Sequence, residues 1–527
     1  MGIVPNRLVC FDPMQRFRRA ALLGSALALV VFVAMLLRAP TDPRTNLLGN
    51  IHDAQARALF HGHWDLPAKA LAIEAFDIHG KYQTYFGPWP TVLRMPILAI
   101  TNRFDGSLTG PSMIAALFVL LASTAWLQWQ LRSRLLWRTV IHDCEVRDSA
   151  IQDSDEGHDQ ERLSIVGLIA IAGFQFMVGA GSIVVFLASR PIIYHEMELW
   201  GVAGAVLTAA CALSWINAPT VRRASVCCAA ATITLLSRPS TGFGAVATLG
   251  LSALAFLATS RRAPNNSRAI AAAGAAGSAR WRHSALLVIA AVIPVTLYAA
   301  VNIARFDAPF ALPLDKQVFT ALDHRRQVVL VANHNSLFGP TFVPTTVAQY
   351  LRPDALRFDT SFPYIGFPHH RAHVFGDAQF DTLDRASSIP SSMPGFTLLS
   401  IIGAVAFVKR RRHQPTAPFT QDPMYGTLPA ILGGVLGSVS TLTIAYVAHR
   451  YIADFFPPLL ILAAIGMHTL LSVRDARSIR KFAVGITAMC VAGTWISLSF
   501  AIVFQRDLVC GDPDYGRGTE TPVCARR

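Results

Sequence analysis

Long apolar runs dominate the chain, and two kinds of polar stretch separate them: short arginine-bearing connections and two long loops. The runs fall at 20–37, 111–131, 163–187, 199–216, 224–236, 242–258, 285–304, 398–408, 428–447, 452–471 and 482–504. Most are about 17 to 25 residues long, the length a helix needs to cross the hydrocarbon of a bilayer. Lipid offers no partner to a bare peptide group, so only helices and closed barrels span it, and the roughly ten-residue alternating segments of a barrel are absent. The pattern predicts an all-α polytopic membrane protein of about eleven transmembrane helices with two long loops, 38–110 and 305–394. The run 163–187 carries Gly173, Gly179 and Gly181 and is expected to be broken, while 224–236 and 398–408 are short for spans.

Composition supports this class. Only 15% of the 527 residues are charged, against about 25% in soluble proteins. The net charge of +14 is read through the membrane before it is read as a nucleic-acid surface, and no DNA- or RNA-binding signature accompanies it. With the N-terminus in the cytoplasm, the basic clusters at 16–19, 132–138, 222–223, 261–282, 409–412 and 474–481 all fall inside. Both long loops and the tail then fall outside. The resulting division is a cytoplasmic N-terminus (1–19), a transmembrane domain (20–504) and an extracytoplasmic tail (505–527), in a multi-pass protein of the cell membrane. A cleaved signal peptide is the rival reading of the first run; the ending Leu36-Leu37-Arg38 lacks a small-residue cleavage site and favours an uncleaved span. Cys510 and Cys524 bracket the tail, where an oxidising compartment would permit a disulfide.

Under this topology the distinctive polar residues gather at the outer face. The first loop supplies Asp53, His63, Trp64, Lys81, Tyr85 and the turn Gly87-Pro88-Trp89-Pro90. Span ends supply Arg190, Tyr194, Glu196, Arg238, Arg305 and the pair Arg450-Tyr451. Charges at span ends are costly unless they face a cavity or a partner, and arginine suits a phosphate through paired hydrogen bonds. Each residue also has a plainer role open to it. Asp53 suits the first turn of a helix, where the helix dipole favours a carboxylate. Glu196 could pair with Arg190, Arg450 could anchor a membrane boundary, and Trp64, Tyr85 and Trp89 could form an interfacial belt. The acid-x-acid matches Asp153-Ser-Asp155 and Asp512-Pro-Asp514 fall in a linker and a tail, so the need for a divalent cation stays open.

Several segments together carry a family resemblance: Ala56-Arg-Ala-Leu-Phe-His-Gly-His-Trp-Asp-Leu-Pro67, Gly80-Lys81 with Tyr82 to Pro90, Arg190-Pro with Tyr194-His-Glu196, Arg238-Pro, Asn302 with Arg305-Phe, and Arg450-Tyr with Asp454. In this order they resemble polytopic GT-C-type glycosyltransferases of bacteria, in the neighbourhood of actinobacterial membrane proteins. The resemblance implies a polyprenyl-phosphate-linked sugar as donor, transfer with inversion on the extracytoplasmic side in the cell envelope, and an acidic general base in the first outer loop. That acidic position lands near Leu47, where Asn46 stands, so Asp53 and Asp42 are the candidate bases. The remaining site residues above are candidate substrate ligands. Two other readings share the arginine-lined chamber: a transporter or flippase for a lipid-linked or anionic solute, and a non-catalytic protein on the same scaffold. No internal repeat is visible, which counts against the transporter. Cysteines introduced singly into the Gly87–Pro90 turn and the His449–Tyr451 turn are expected to react with a membrane-impermeant maleimide from the same, extracytoplasmic, face of intact cells.

Overall fold

The computed structural model describes residues 13–39, 48–147, 165–258, 267–413, 423–472 and 476–510. It is a helical bundle whose only sheet structure, among the described residues, is three two-stranded pairs. Among the described residues, nine helices are long and apolar enough to cross a membrane. The eleven runs read from sequence all appear as helices, but two fall short of that criterion. Helix Val221–Leu235 has only 15 residues, and Pro394–His413 ends in Lys409-Arg410-Arg411-Arg412.

Both still run alongside full-length neighbours. Helix Ile193–Asn217 and helix Val221–Leu235 are antiparallel. Arg223, near the start of the second, donates to the Ser214 and Ala218 carbonyls at the end of the first. Arg238, just past the end of the second, reaches back to Glu198 at the start of the first. Helix Pro394–His413 lies beside Phe456–Leu471, with Phe396 against Phe456 and Ser400 donating to the Leu459 carbonyl. The crossing is close because two glycines meet there. A Cβ on Gly403 would stand 2.0 Å from the Leu462 carbonyl oxygen, and one on Gly466 2.0 Å from that of Leu399. In lipid, where apolar side chains gain little by leaving the tails, such close backbone packing supplies much of the adhesion between helices.

The break expected in the third run is present. Helix Ile165–Ala180 stops, and a short helix Ile183–Leu187 restarts after Ser182, whose hydroxyl accepts from the Val184 N–H at 3.2 Å. The last helix runs Ala476–Cys510 and so includes residues 505–510.

The two long loops fold against each other at one end of the bundle. The first contains helix Ile51–Phe60, the hairpin Phe76–Ile78/Lys81–Gln83 and the apolar helix Trp89–Ile100. The second contains helices His324–Ala332 and Val343–Leu351 and the hairpin Arg357–Phe358/Ile365–Gly366. A bridge between Phe76 and Gln317, with the Val318 N–H donating to the Ala75 carbonyl, sews one loop to the other. Gly403→Val or Gly466→Val is expected to cost roughly 1–3 kcal/mol through overpacking and to lower the melting temperature in detergent. Gly485→Ala, whose added methyl would meet nothing within 4 Å, is expected to leave it unchanged.

Candidate functional site

Two residues of the second loop pair with two residues that precede the Phe456–Leu471 helix. Thr382–Leu383 and Tyr446–Val447 form a parallel ladder, and the Asp384 N–H continues it to the Val447 carbonyl at 2.9 Å. This short ladder brings Asp384 and Arg450 to the same cavity, of about 220 Å3, although 65 residues of chain separate them. One wall is aromatic: Phe186, Phe367 and Phe504, with Phe367 stacked on Phe500 behind it. The other carries charge: Asp384, Arg385, Arg450 and Asp507. His195 and His449 stand between. The Ser387 backbone N–H donates to His449 Nδ1 at 3.3 Å, so in the neutral ring the proton sits on Nε2. His195 Nδ1 faces the Leu187 carbonyl at 2.9 Å and carries its own proton there. Burial raises the Asp384 carboxyl above the usual carboxylate range, against the pull of Arg450 and Arg371.

Arg450 is held by rings. Its guanidinium carbon lies 4.9 Å from the ring centres of both Tyr194 and Tyr451, and its Nε has no hydrogen-bond partner. Arg190 adds positive charge nearby. Tyr194 donates at 2.5 Å to Glu74, which also accepts from Tyr85 and Gln317, both at 3.2 Å. Gln317 in turn accepts from Arg326, which pairs with Asp381. The first loop, the second loop and the start of helix Ile193–Asn217 therefore share one hydrogen-bond network beneath the cavity. Burial, then Glu74, raises the Tyr85 hydroxyl well above its ordinary value.

The other arginines have different surroundings. Arg238 chelates Asp454 with two bonds of 2.7 Å, lies 2.9 Å from Glu198 and faces Tyr451. Any phosphate there would have to displace two carboxylates. Arg305, 3% exposed, donates to the Phe86 carbonyl and stacks on Trp64 at 4.6 Å. Trp89 packs edge-on to Trp200, while its backbone N–H donates to the Leu236 carbonyl. This approach explains Gly87 in the Gly-Pro-Trp-Pro turn, since a Cβ there would stand 2.2 Å from that same oxygen. Lys81 is exposed on the first hairpin, and His63, also exposed, lies 3.9 Å from Asp65.

Asp53 does not line the cavity. It sits in the first turn of helix Ile51–Phe60, 3% exposed, with one oxygen 3.2 Å from Arg94 Nε and the other accepting the Gly106 N–H at 2.7 Å. Burial raises its carboxyl, with Arg94 and Gly106 opposing. Arg94 also donates to both oxygens of Glu196 at 2.8 Å. This corrects the pairing open to Glu196: its partner is Arg94, not Arg190. Asp42 and Cys524 lie outside the described residues, as does the side chain of Cys510, and the disulfide between the cysteines with them. Among the described residues no group of three or more His, Cys, Asp or Glu is placed to hold a metal ion.

No protein-family model matches the sequence, and no curated protein does. Solved structures of archaeal oligosaccharyltransferase from Archaeoglobus fulgidus are similar at low identity. One is the enzyme AglB in complex with an inhibitory peptide and a dolichol-phosphate: 12% identity over 98% of this chain and 61% of that one, TM-score 0.43. Another is the apo form, at 11% identity, the same coverage and TM-score 0.44. This chain spans about three fifths of the length of those proteins. At such scores the likeness transfers no residue role.

Four residues important to this geometry were not singled out from sequence: Glu74, Arg94, Asp381 and Asp384. Arg94 lies inside an apolar helix, Trp89–Ile100, and that was a usable signal, because a charge in such a setting needs a buried partner. Arg94→Ala would leave Asp53 and Glu196 buried without their cation, an expected loss of roughly 3–5 kcal/mol. Arg94→Met combined with Asp53→Asn and Glu196→Gln should recover most of the melting temperature, read by thermal unfolding in detergent.

Proposed function

We propose that this protein transfers a sugar from a polyprenyl-phosphate donor to an acceptor on the extracytoplasmic side of the cell membrane, the N-terminus being cytoplasmic. One observation carries the proposal. A single cavity at the loop-bearing end of a membrane bundle is lined by the Arg450 guanidinium, the half-buried Asp384 carboxylate and an aromatic wall. The family resemblance supplies the donor class.

In this reading the donor phosphate lies against Arg450, with Arg190 adding positive potential. The sugar packs on Phe186 and Phe367. An acceptor hydroxyl attacks the anomeric carbon as its proton passes to a carboxylate. The bond from that carbon to the phosphate oxygen breaks, and the lipid phosphate leaves with the electron pair, its charge balanced by Arg450. Two carboxylates compete for the base. Asp53 is the candidate from sequence, but both its oxygens are already engaged, by Arg94 and the Gly106 N–H. Asp384 lines the cavity, and the proposal assigns the proton to it, leaving Asp53 to fix the first loop.

The test is transfer by purified protein from radiolabelled polyprenyl-phosphate sugars. Asp384→Asn is expected to lower kcat about 10²–10⁴-fold, and Arg450→Ala about 10²–10³-fold. Asp53→Asn should act chiefly on stability. If Asp53→Asn abolishes turnover in a protein that still melts normally while Asp384→Asn does not, the base is Asp53. No transfer from any donor by the wild type would defeat the proposal. A base must be ionised to act, and burial raises Asp384, so the rate is expected to rise with pH through a limb set above the usual carboxylate range. That limb should be absent from the residual rate of Asp384→Asn.

A further inference from the structure

We infer that the hairpin Arg357–Gly366 is a membrane-seated element, its aromatic tip resting in bilayer lipid beside Trp495. Its base and tip lie at different levels of helix Ala476–Cys510. Gly366, at the base, abuts Val503. Nearer the tip, Ser499 donates to the Pro363 carbonyl at 3.3 Å, and the Phe362 ring lies 6.0 Å from that of Trp495. From Val503 to Trp495 is eight residues, or about 12 Å at 1.5 Å per residue. The hairpin thus descends from the cavity end of this helix, where Phe504 and Asp507 line the wall, toward the middle of the apolar span Val484–Leu508.

The outward side of that span is the second observation. Val484, Val491 and Trp495 are exposed and fall seven and four residues apart, on one face. An exposed apolar face on a membrane span is a lipid-facing face. The hairpin extends that face with three rings of its own: Phe358 is 78% exposed, Phe362 53% and Tyr364 51%. Three large aromatics left in water would be a costly surface, whereas hydrocarbon beside the span receives them without that cost. Inward of the rings two backbone hydrogen bonds close the turn. The Asp359 N–H donates to the Tyr364 carbonyl, and the Tyr364 N–H to that of Ser361. Arg357 pairs with Asp359 at 2.8 Å, so the hairpin brings no lone charge to the lipid. Continuity with the span's own lipid face points to lipid rather than to a protein as the occupant.

The hairpin ends at Gly366, and the next residue, Phe367, is a wall of the cavity. Seating the hairpin therefore holds one side of the cavity at the edge of the bilayer. This inference does not depend on the reaction proposed above.

The experiment uses the full chain in nanodiscs of phosphatidylcholine and phosphatidylglycerol. A spin label at F362C, in a background without native cysteines, is expected to collide more often with oxygen than with a water-soluble nickel chelate. A label at H370C, four residues beyond the hairpin and exposed, should show the reverse. Equal chelate access at both positions would overturn the inference, and so would a label at residue 362 shielded from both reagents, which would mean that protein covers the tip. Should the cysteine-free background fail to fold, hydroxyl-radical footprinting of the unmodified protein decides. Phe358, Phe362 and Tyr364 should be oxidised several-fold less than His369 and His370 in nanodiscs, and equal oxidation would refute the seating.

Discussion

Charge withdrawn from water at one end of the bundle sets the terms for everything assembled there. A guanidinium cannot be neutralised by losing its proton, so each one taken out of water needs a counterpart in place. Arg94 and Arg238 each have two carboxylates within bonding distance and Arg326 has one. Arg305 and Arg450 rest on ring faces, Trp64 for one and two tyrosines for the other; rings also cover Arg238 and Arg326, in addition to their carboxylates. A cation bonded to two carboxylates locks helices together. Arg305 instead bonds a backbone carbonyl, and Arg450 borders the cavity.

Hydrogen bonds tie the two long loops into one body. Glu74 in the first loop receives hydrogen bonds from a helix end and from the second loop, and Gln317 passes the connection on to Arg326 and Asp381. Asp381 lies three residues before Asp384, and its N–H donates to the Ala445 carbonyl. A displacement at the first hairpin therefore has a continuous bonded path toward the cavity. The links from Glu74 through Gln317 to Arg326 are buried, the setting in which such networks hold a single arrangement.

Much of the architecture was legible in the chain. Apolar run length located every long helix, and the glycines around Gly181 marked the break before Ile183. The polar residues at span ends were also legible as a class, since charge in an apolar setting is conspicuous. Which of them meet was not. Arg94 and Glu196 are 102 positions apart, Arg238 and Asp454 are 216 apart, and no local periodicity relates them. Asp384 escaped notice for a related reason. It stands in an ordinary polar loop, and only the pairing of two short strands reveals what it faces. Asp53 shows the converse: a conspicuous acid in a conspicuous loop is held by Arg94, which lies in the apolar helix Trp89–Ile100 that the run pattern did not mark.

The two-residue parallel ladder has a consequence for biogenesis. Its strands belong to segments that leave the ribosome some sixty residues apart, and the later one lies beyond the Leu428–Leu442 helix. A nascent chain with everything through the Pro394–His413 helix already inserted has both long loops and many of the buried ion pairs, yet lacks the Tyr446–Val447 strand and Arg450 that stand opposite Asp384. The cavity is therefore closed late in synthesis, by an edge joined after most of the bundle is in place, so earlier truncated products hold only one of its walls.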